Sequence, residues 1–128
     1  MPELSWPLVL GATAVGGAIG ALLRWSLSVA TARHTTLPAW IGTLAANLIA
    51  CVLIGAVAHD RPHVMDLLLV VGVAGALSTF STFVFELVVL WWVRRRGEAT
   101  LAVALSMVAG PAAVWAGHLL GSLSWGDA

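Results

Sequence analysis

The chain has 128 residues, of which 60% are hydrophobic and 9% are charged, with no net charge at neutral pH. Its 13 glycines bring the apolar share to roughly 70%, against about 45–50% in soluble domains. Six basic and six acidic side chains cannot coat a soluble domain of this size, and the mean hydropathy is +0.98. A soluble enzyme and a nucleic-acid binder held by phosphate contacts are thereby excluded, which leaves an integral membrane protein.

The N-terminal Met1-Pro2-Glu3 lacks the basic n-region of a signal peptide, so the first apolar segment is expected to be retained. Four segments have the length needed to cross a bilayer. They are expected at about 7–30, 40–58, 67–93 and 99–124, one four-helix transmembrane domain over residues 1–128. The apolar runs are continuous on both faces, which excludes a β-barrel and leaves an all-α integral membrane fold. Short loops are expected at about 34–39, 59–66 and 94–98. Trp6, Trp40, Trp91, Trp92 and Trp125 lie near segment ends, where interface anchors belong, whereas Trp25 and Trp115 do not.

The first segment carries Gly16 with Gly20 and Gly17 with Ala21, and the fourth carries Gly117 with Gly121. Small residues four apart let helices approach closely, either as plain bundle packing or around a pore or dimer axis. Four short helices hardly enclose a wet path, so an oligomer is expected. The third segment is too long: its 27 residues would extend about 40 Å as a straight helix, against roughly 30 Å of hydrocarbon. Strong tilt is one explanation. The other is a break near Gly72, Gly75, Ser78 and Thr79, which would free carbonyls at membrane depth. In the fourth segment, Gly110-Pro111 marks a kink.

Few polar groups enter the bilayer, so each is informative. Arg24 lies in the last third of the first segment, either as a snorkelling anchor or facing a polar path. Thr43 and Asn47 share a face of the second, and a mid-span Asn must bond a neighbouring helix or an incoming ligand. Thr79, Thr82 and Glu86 form a polar stripe on the third, beside Phe80 and Phe83, and Ser106 is the main mid-span hydroxyl of the fourth. Aromatic rings have positive edges, and with hydroxyls and an amide they make a donor-rich lining suited to a small anion. A proton-coupled transporter would need acids at depth, and only Glu86 qualifies.

At this point the chain resembles a known family. Gly16-Gly17-Ala18-Ile19-Gly20-Ala21-Leu22-Leu23-Arg24-Trp25 resembles the GGxxGAxxR[YW] opening of the Fluc/CrcB fluoride channels. Gly42-Thr43-Leu44-Ala45-Ala46-Asn47 is similar to their GTLxxN motif, and 75–83 to their GxxTTFSTF signature. The resemblance implies a fluoride-selective channel in the plasma membrane that lowers cytoplasmic fluoride by passive export. It implies an antiparallel dimer with two pores and a structural, untransported Na⁺ at the interface, held by the carbonyls of Gly75 and Ser78. It assigns Asn47, Phe80, Phe83, Thr82 and Ser106 to the fluoride pore, Thr43 with them, and Arg24 and Glu86 to the vestibule. The chain departs from the family at Ala102, where a tyrosine is common, and at Ser78, where a threonine is usual.

With four spans, Arg24, Arg33, Arg94, Arg95 and Arg96 lie on one side and Arg61 on the other. The positive-inside rule then predicts both termini outside. A self-paired antiparallel dimer should carry almost no bias, so a heterodimer with a homologous chain of opposite bias is expected, with the homodimer as the alternative.

The alternative function is a small four-helix multidrug or cation exporter, but such proteins use an acid in the first span and here it holds Arg24. A membrane scaffold would have no need of Asn47, Phe80 and Phe83. No nucleophile–base pair points to an enzyme. Cys51 is alone, and Pro62 between His59 and His63 breaks any helix that would set them on one metal.

Overall fold

The computed structural model describes residues 5–34, 36–57 and 64–125, and all regular structure among them is helical. Helix α1 is Trp6–His34 and α2 is Ala39–Val57. Helix α3 covers 64–77, as Val64–Asp66, a π-helical stretch Leu67–Ala74, and Gly75–Leu77. Helix α4 is Phe80–Trp92 and α5 is Arg96–Trp125. Four apolar helical segments are long enough to span: Trp6–Arg33, Ala39–Val57, Val64–Trp92 and Arg96–Leu123. Even the shortest, with 19 residues, is about 28 Å long, close to the hydrocarbon thickness. The chain is thus an all-α, multi-pass membrane protein. The loop residues His59, Asp60, Arg61, Pro62 and His63, the terminal acids Glu3 and Asp127, and the Trp125 side chain lie outside the described residues.

The loop between the third and fourth spans is shorter than the hydropathy pattern suggests. Only Val93, Arg94 and Arg95 separate α4 from α5. The Arg95 N–H bonds the Leu90 carbonyl at 2.9 Å and the Arg94 N–H bonds that of Trp91 at 3.2 Å, the paired closure of a Schellman turn. Arg94 takes the left-handed conformation there, with φ of 64°. The Arg95 carbonyl then accepts from the Glu98 and Ala99 amides, so α5 begins inside the expected loop. It continues through Pro111 without interruption.

Helix α1 packs chiefly against α3, and α2 against α5. Glycines set both contacts. A Cβ at Gly72 would lie 2.8 Å from the Gly16 Cα, and one at Gly20 would strike the Val73 carbonyl. Between α2 and α5, Gly55 faces the Val114 carbonyl, Gly117 that of Val52, and Gly121 that of Ala56. The Gly16/Gly20 and Gly117/Gly121 pairs therefore serve close packing within one chain. Gly17 differs, with open space where its Cβ would be.

Two buried clusters share α2. Ala46 and Ala50 pack with Ala74 and Leu77, which seats the end of α3. Trp40 packs with Leu90, Ala99 and Ala102. This corrects the interface-anchor reading of Trp40, which is only 5% exposed, because the alanines of α5 offer its indole a flat wall. Trp6, Trp91 and Trp92 are exposed, as anchors should be, and Trp25 and Trp115 are exposed along the helices.

Candidate functional site

The third span is interrupted at Ser78 and Thr79, both extended, with φ/ψ of −71°/148° and −150°/118°. The local cause is a cap. Thr79 Oγ1 accepts the Thr82 N–H at 3.3 Å, which starts α4 where α3 would otherwise continue. A helix end leaves its last four carbonyls without intrahelical partners. Here these belong to Gly75, Ala76, Leu77 and Ser78. The donor that helical continuation would bring to Gly75, the Thr79 N–H, turns away to Asn47, and the Gly75 carbonyl keeps only a long bond from the Ser78 hydroxyl at 3.5 Å. The donor for Ser78 is the capped Thr82 N–H.

Asn47 holds the interruption from α2. Its Oδ1 accepts the Thr79 N–H at 2.8 Å, and its Nδ2 donates to the Thr79 carbonyl at 3.4 Å. The side chain gives the Thr79 N–H the acceptor it loses at the break, and adds a donor to the Thr79 carbonyl, at a residue only 8% exposed. One Nδ2 proton is left over.

A cleft of about 330 Å³ opens beside the break, lined by Arg24, Trp25, Ser28, Thr43, Thr79, Ser81 and Thr82, with Ala21. Helix α1 supplies one wall, since Arg24 and Ser28 are one turn apart and the Ser28 hydroxyl donates to the Arg24 carbonyl. Arg24 is half-buried and forms no ion pair among the described residues. Facing it, the Thr79 hydroxyl donates to Thr82 Oγ1 at 3.1 Å and lies 3.4 Å from Ser81 Oγ. Thr82 thus keeps its own proton for a ligand. The lining is cationic and donor-rich, with no carboxylate in it.

The structure brings Arg24, Thr43 and Thr82 together at this cleft, with Asn47 behind it on Thr79. Thr43 is buried, and its hydroxyl donates to Glu86 Oε1 at 2.9 Å, which links the cleft to the half-buried Glu86. Phe83 lies one turn before Glu86 on α4, packed against the Trp40 cluster. Ser106 is half-buried on α5, and its proton is spent on the Ala102 carbonyl at 2.8 Å. Phe80 stands apart, 79% exposed on the outer surface. Gly75 is exposed and Ser78 half-buried. Sequence reasoning passed over Ser28 and Ser81, although Ser28 sits four residues after Arg24, the spacing of one helix face. Among the described residues no cluster of three His, Cys, Asp or Glu exists to hold a metal.

Comparison with known proteins gives a consistent result. A family profile described as "CrcB-like protein, Camphor Resistance (CrcB)" matches residues 11–118. A Thermobifida fusca protein named fluoride-specific ion channel FluC 2 is 40% identical over 111 residues, covering 82% of this chain and 81% of its own. FluC 1 of the same organism is 38% identical over 115 residues, covering 88% and 93%. FluC of Azotobacter vinelandii is 38% identical over 121 residues, covering 88% and 95%.

Proposed function

The chain belongs to the CrcB-like family, and from that premise we propose that it is a subunit of a fluoride-selective channel, not an enzyme, that lets fluoride leave the cytoplasm down its gradient. The observation that carries this reading is the cleft, where a cation and a row of hydroxyls meet at a helix break without an acid. Fluoride is small and tightly hydrated, so a pore must replace its water with donors and positive ring edges. Arg24 draws the anion in. Thr82 takes over part of its hydration with the proton it keeps, Ser81 joins by turning its hydroxyl from Thr79 Oγ1, and Asn47 holds the break that presents them and adds its spare amide proton. The edges of Phe83, and of Phe80 from the outer surface, carry the anion onward. Ser106 contributes only if its hydroxyl leaves the Ala102 carbonyl.

The exposure of Phe80 and Gly75 supports a dimer, because pore parts on the outside of one chain need a second chain to enclose them. A structural Na⁺ fits the break between two such chains. The carbonyls of Ser78 and of Gly75, the latter held only by the Ser78 hydroxyl at 3.5 Å, are hard oxygen donors on or near the surface, suited to a hard cation. The ion would supply a fixed positive charge that ties the two breaks together. We further assign an antiparallel arrangement, with this chain's termini outside and a related chain of opposite arginine bias as its partner. Two numbered FluC relatives in Thermobifida fusca are in keeping with paired genes.

The cation-exporter alternative lacks its central group, since α1 contains Arg24 and no acid. Efflux from reconstituted vesicles tests the proposal. Fluoride is expected to leave far faster than chloride, and Phe83→Ile is expected to slow it. Equal rates for the two anions would reject selectivity. Expression of this chain alone, then with its paired homologue, tests the heterodimer. Full activity of the lone chain inserted both ways would reject it.

A further inference from the structure

Three side-chain atoms among the described residues are buried without hydrogen-bond partners, Trp40 Nε1, Glu86 Oε2 and Glu98 Oε2, and the first two are complementary and lie in one layer of the bundle. Trp40 Nε1–H is a donor on a ring only 5% exposed. Glu86 Oε2 is a buried acceptor whose sister oxygen, Oε1, is held by the Thr43 hydroxyl at 2.9 Å. Thr43 follows Trp40 by three residues on the same face of α2. On α4, Leu90 and Phe83 pack in the Trp40 cluster, and Glu86 lies between them, three residues after one and four before the other. Facing stripes of α2 and α4 therefore place both orphaned atoms in one layer. From α5, wholly buried Ala102 offers no donor or acceptor, and the Glu98 carboxylate is already paired with Arg95 through Oε1.

An unmade bond on either atom is costly in a dry layer, and proteins relieve such pairs with an ordered water that finds polar partners on two sides. We infer that one water molecule bridges these atoms, accepting from the Trp40 indole and donating to Glu86 Oε2. Its second proton stays available beside the Phe83 ring. Trp40 is then a positioning residue for the anion path, acting through that water. This last step rests on the fluoride-channel reading; the water site does not.

The test uses the full-length chain in lipid nanodiscs, with its homologous partner if one is required for assembly. The Trp40 indole resonance is assigned by its loss in Trp40→Phe. A magnetisation-transfer peak from water to the Trp40 Nε1–H is expected, weakened in Glu86→Leu. An indole with no water contact in the native chain overturns the bridge, whatever the variants do. In vesicles, Trp40→Phe keeps the aromatic ring and is expected to assemble normally by size-exclusion chromatography. It is expected to slow fluoride efflux about tenfold, the worth of one hydrogen bond. A native rate in Trp40→Phe overturns the transport role. A native channel that passes no fluoride counts against the channel reading, and the water peak still decides the bridge.

Discussion

Asn47 grips Thr79 at two points, accepting its N–H at 2.8 Å and donating to its carbonyl at 3.4 Å. One side chain on α2 thereby satisfies a residue that belongs to neither half of the third span. Asn47→Ala leaves the Thr79 N–H unpaired in a buried setting and takes one of two donors from its carbonyl. We expect a loss of about 2–3 kcal/mol, seen as a lower melting temperature of the purified protein. Asn47→Asp keeps the acceptor and loses the donor, so its melting temperature should fall between the two. Equal stability of all three would show that the break stands without the amide.

The contact between α1 and α3 predicts opposite outcomes for neighbouring glycines. Gly72→Ala drives a methyl to within 2.8 Å of the Gly16 Cα, where only backbone stands to give way. Overpacking of this kind costs about 1–3 kcal/mol. Gly17→Ala enters open space and gains helix propensity, so it should be neutral or stabilising by up to about 1 kcal/mol. Thermal melts of the two variants, measured side by side, check the contrast.

Thr43 and Glu86 are expected to be energetically coupled. The Thr43 hydroxyl is the sole described hydrogen-bond partner of the carboxylate, since Oε2 is buried without one. Thr43→Val should destabilise the native chain by about 1–3 kcal/mol and have much less effect in a Glu86→Leu background. A double-mutant cycle reads the difference. Additive effects would mean that the 2.9 Å bond contributes nothing.

The turn between the third and fourth spans contains a correctable strain. Arg94 holds φ at 64°, a conformation that costs a side-chain-bearing residue about 1 kcal/mol. Arg94→Gly should therefore raise the melting temperature, while Arg94→Ala should not. Arg95 and Arg96 are separate from this effect, the first paired with Glu98 and the second stacked 4.6 Å over Trp91.

Much of this architecture was readable in the sequence, because bilayer solvation leaves a strong one-dimensional signal. Four apolar runs and an overlong third segment follow from length and composition. The neighbourhood of the break followed from Gly75, Ser78 and Thr79, but its position did not. That depends on Asn47, 32 residues earlier, and no local pattern reveals such a pairing. The π-helical stretch Leu67–Ala74 was equally silent, since its run of Leu and Val suits any helix. Trp40 was misread for a related reason. Its place at a segment end suggests an anchor, and only the alanines it meets on α5 turn it inward.

The grip of Asn47 on Thr79 also makes α2 a ruler. One residue inserted between Ala39 and Asn47 would turn the amide by about 100° and shift it by about 1.5 Å along the axis. It would then face another helix, and the break would lose its holder. A substitution along this stretch leaves the reach of the amide unchanged, whatever else it costs, but a change in its length does not. Naturally occurring insertions and deletions in chains of this design should thus fall outside the stretch from Ala39 to Asn47, and any chain that violates the rule must hold its break by other means.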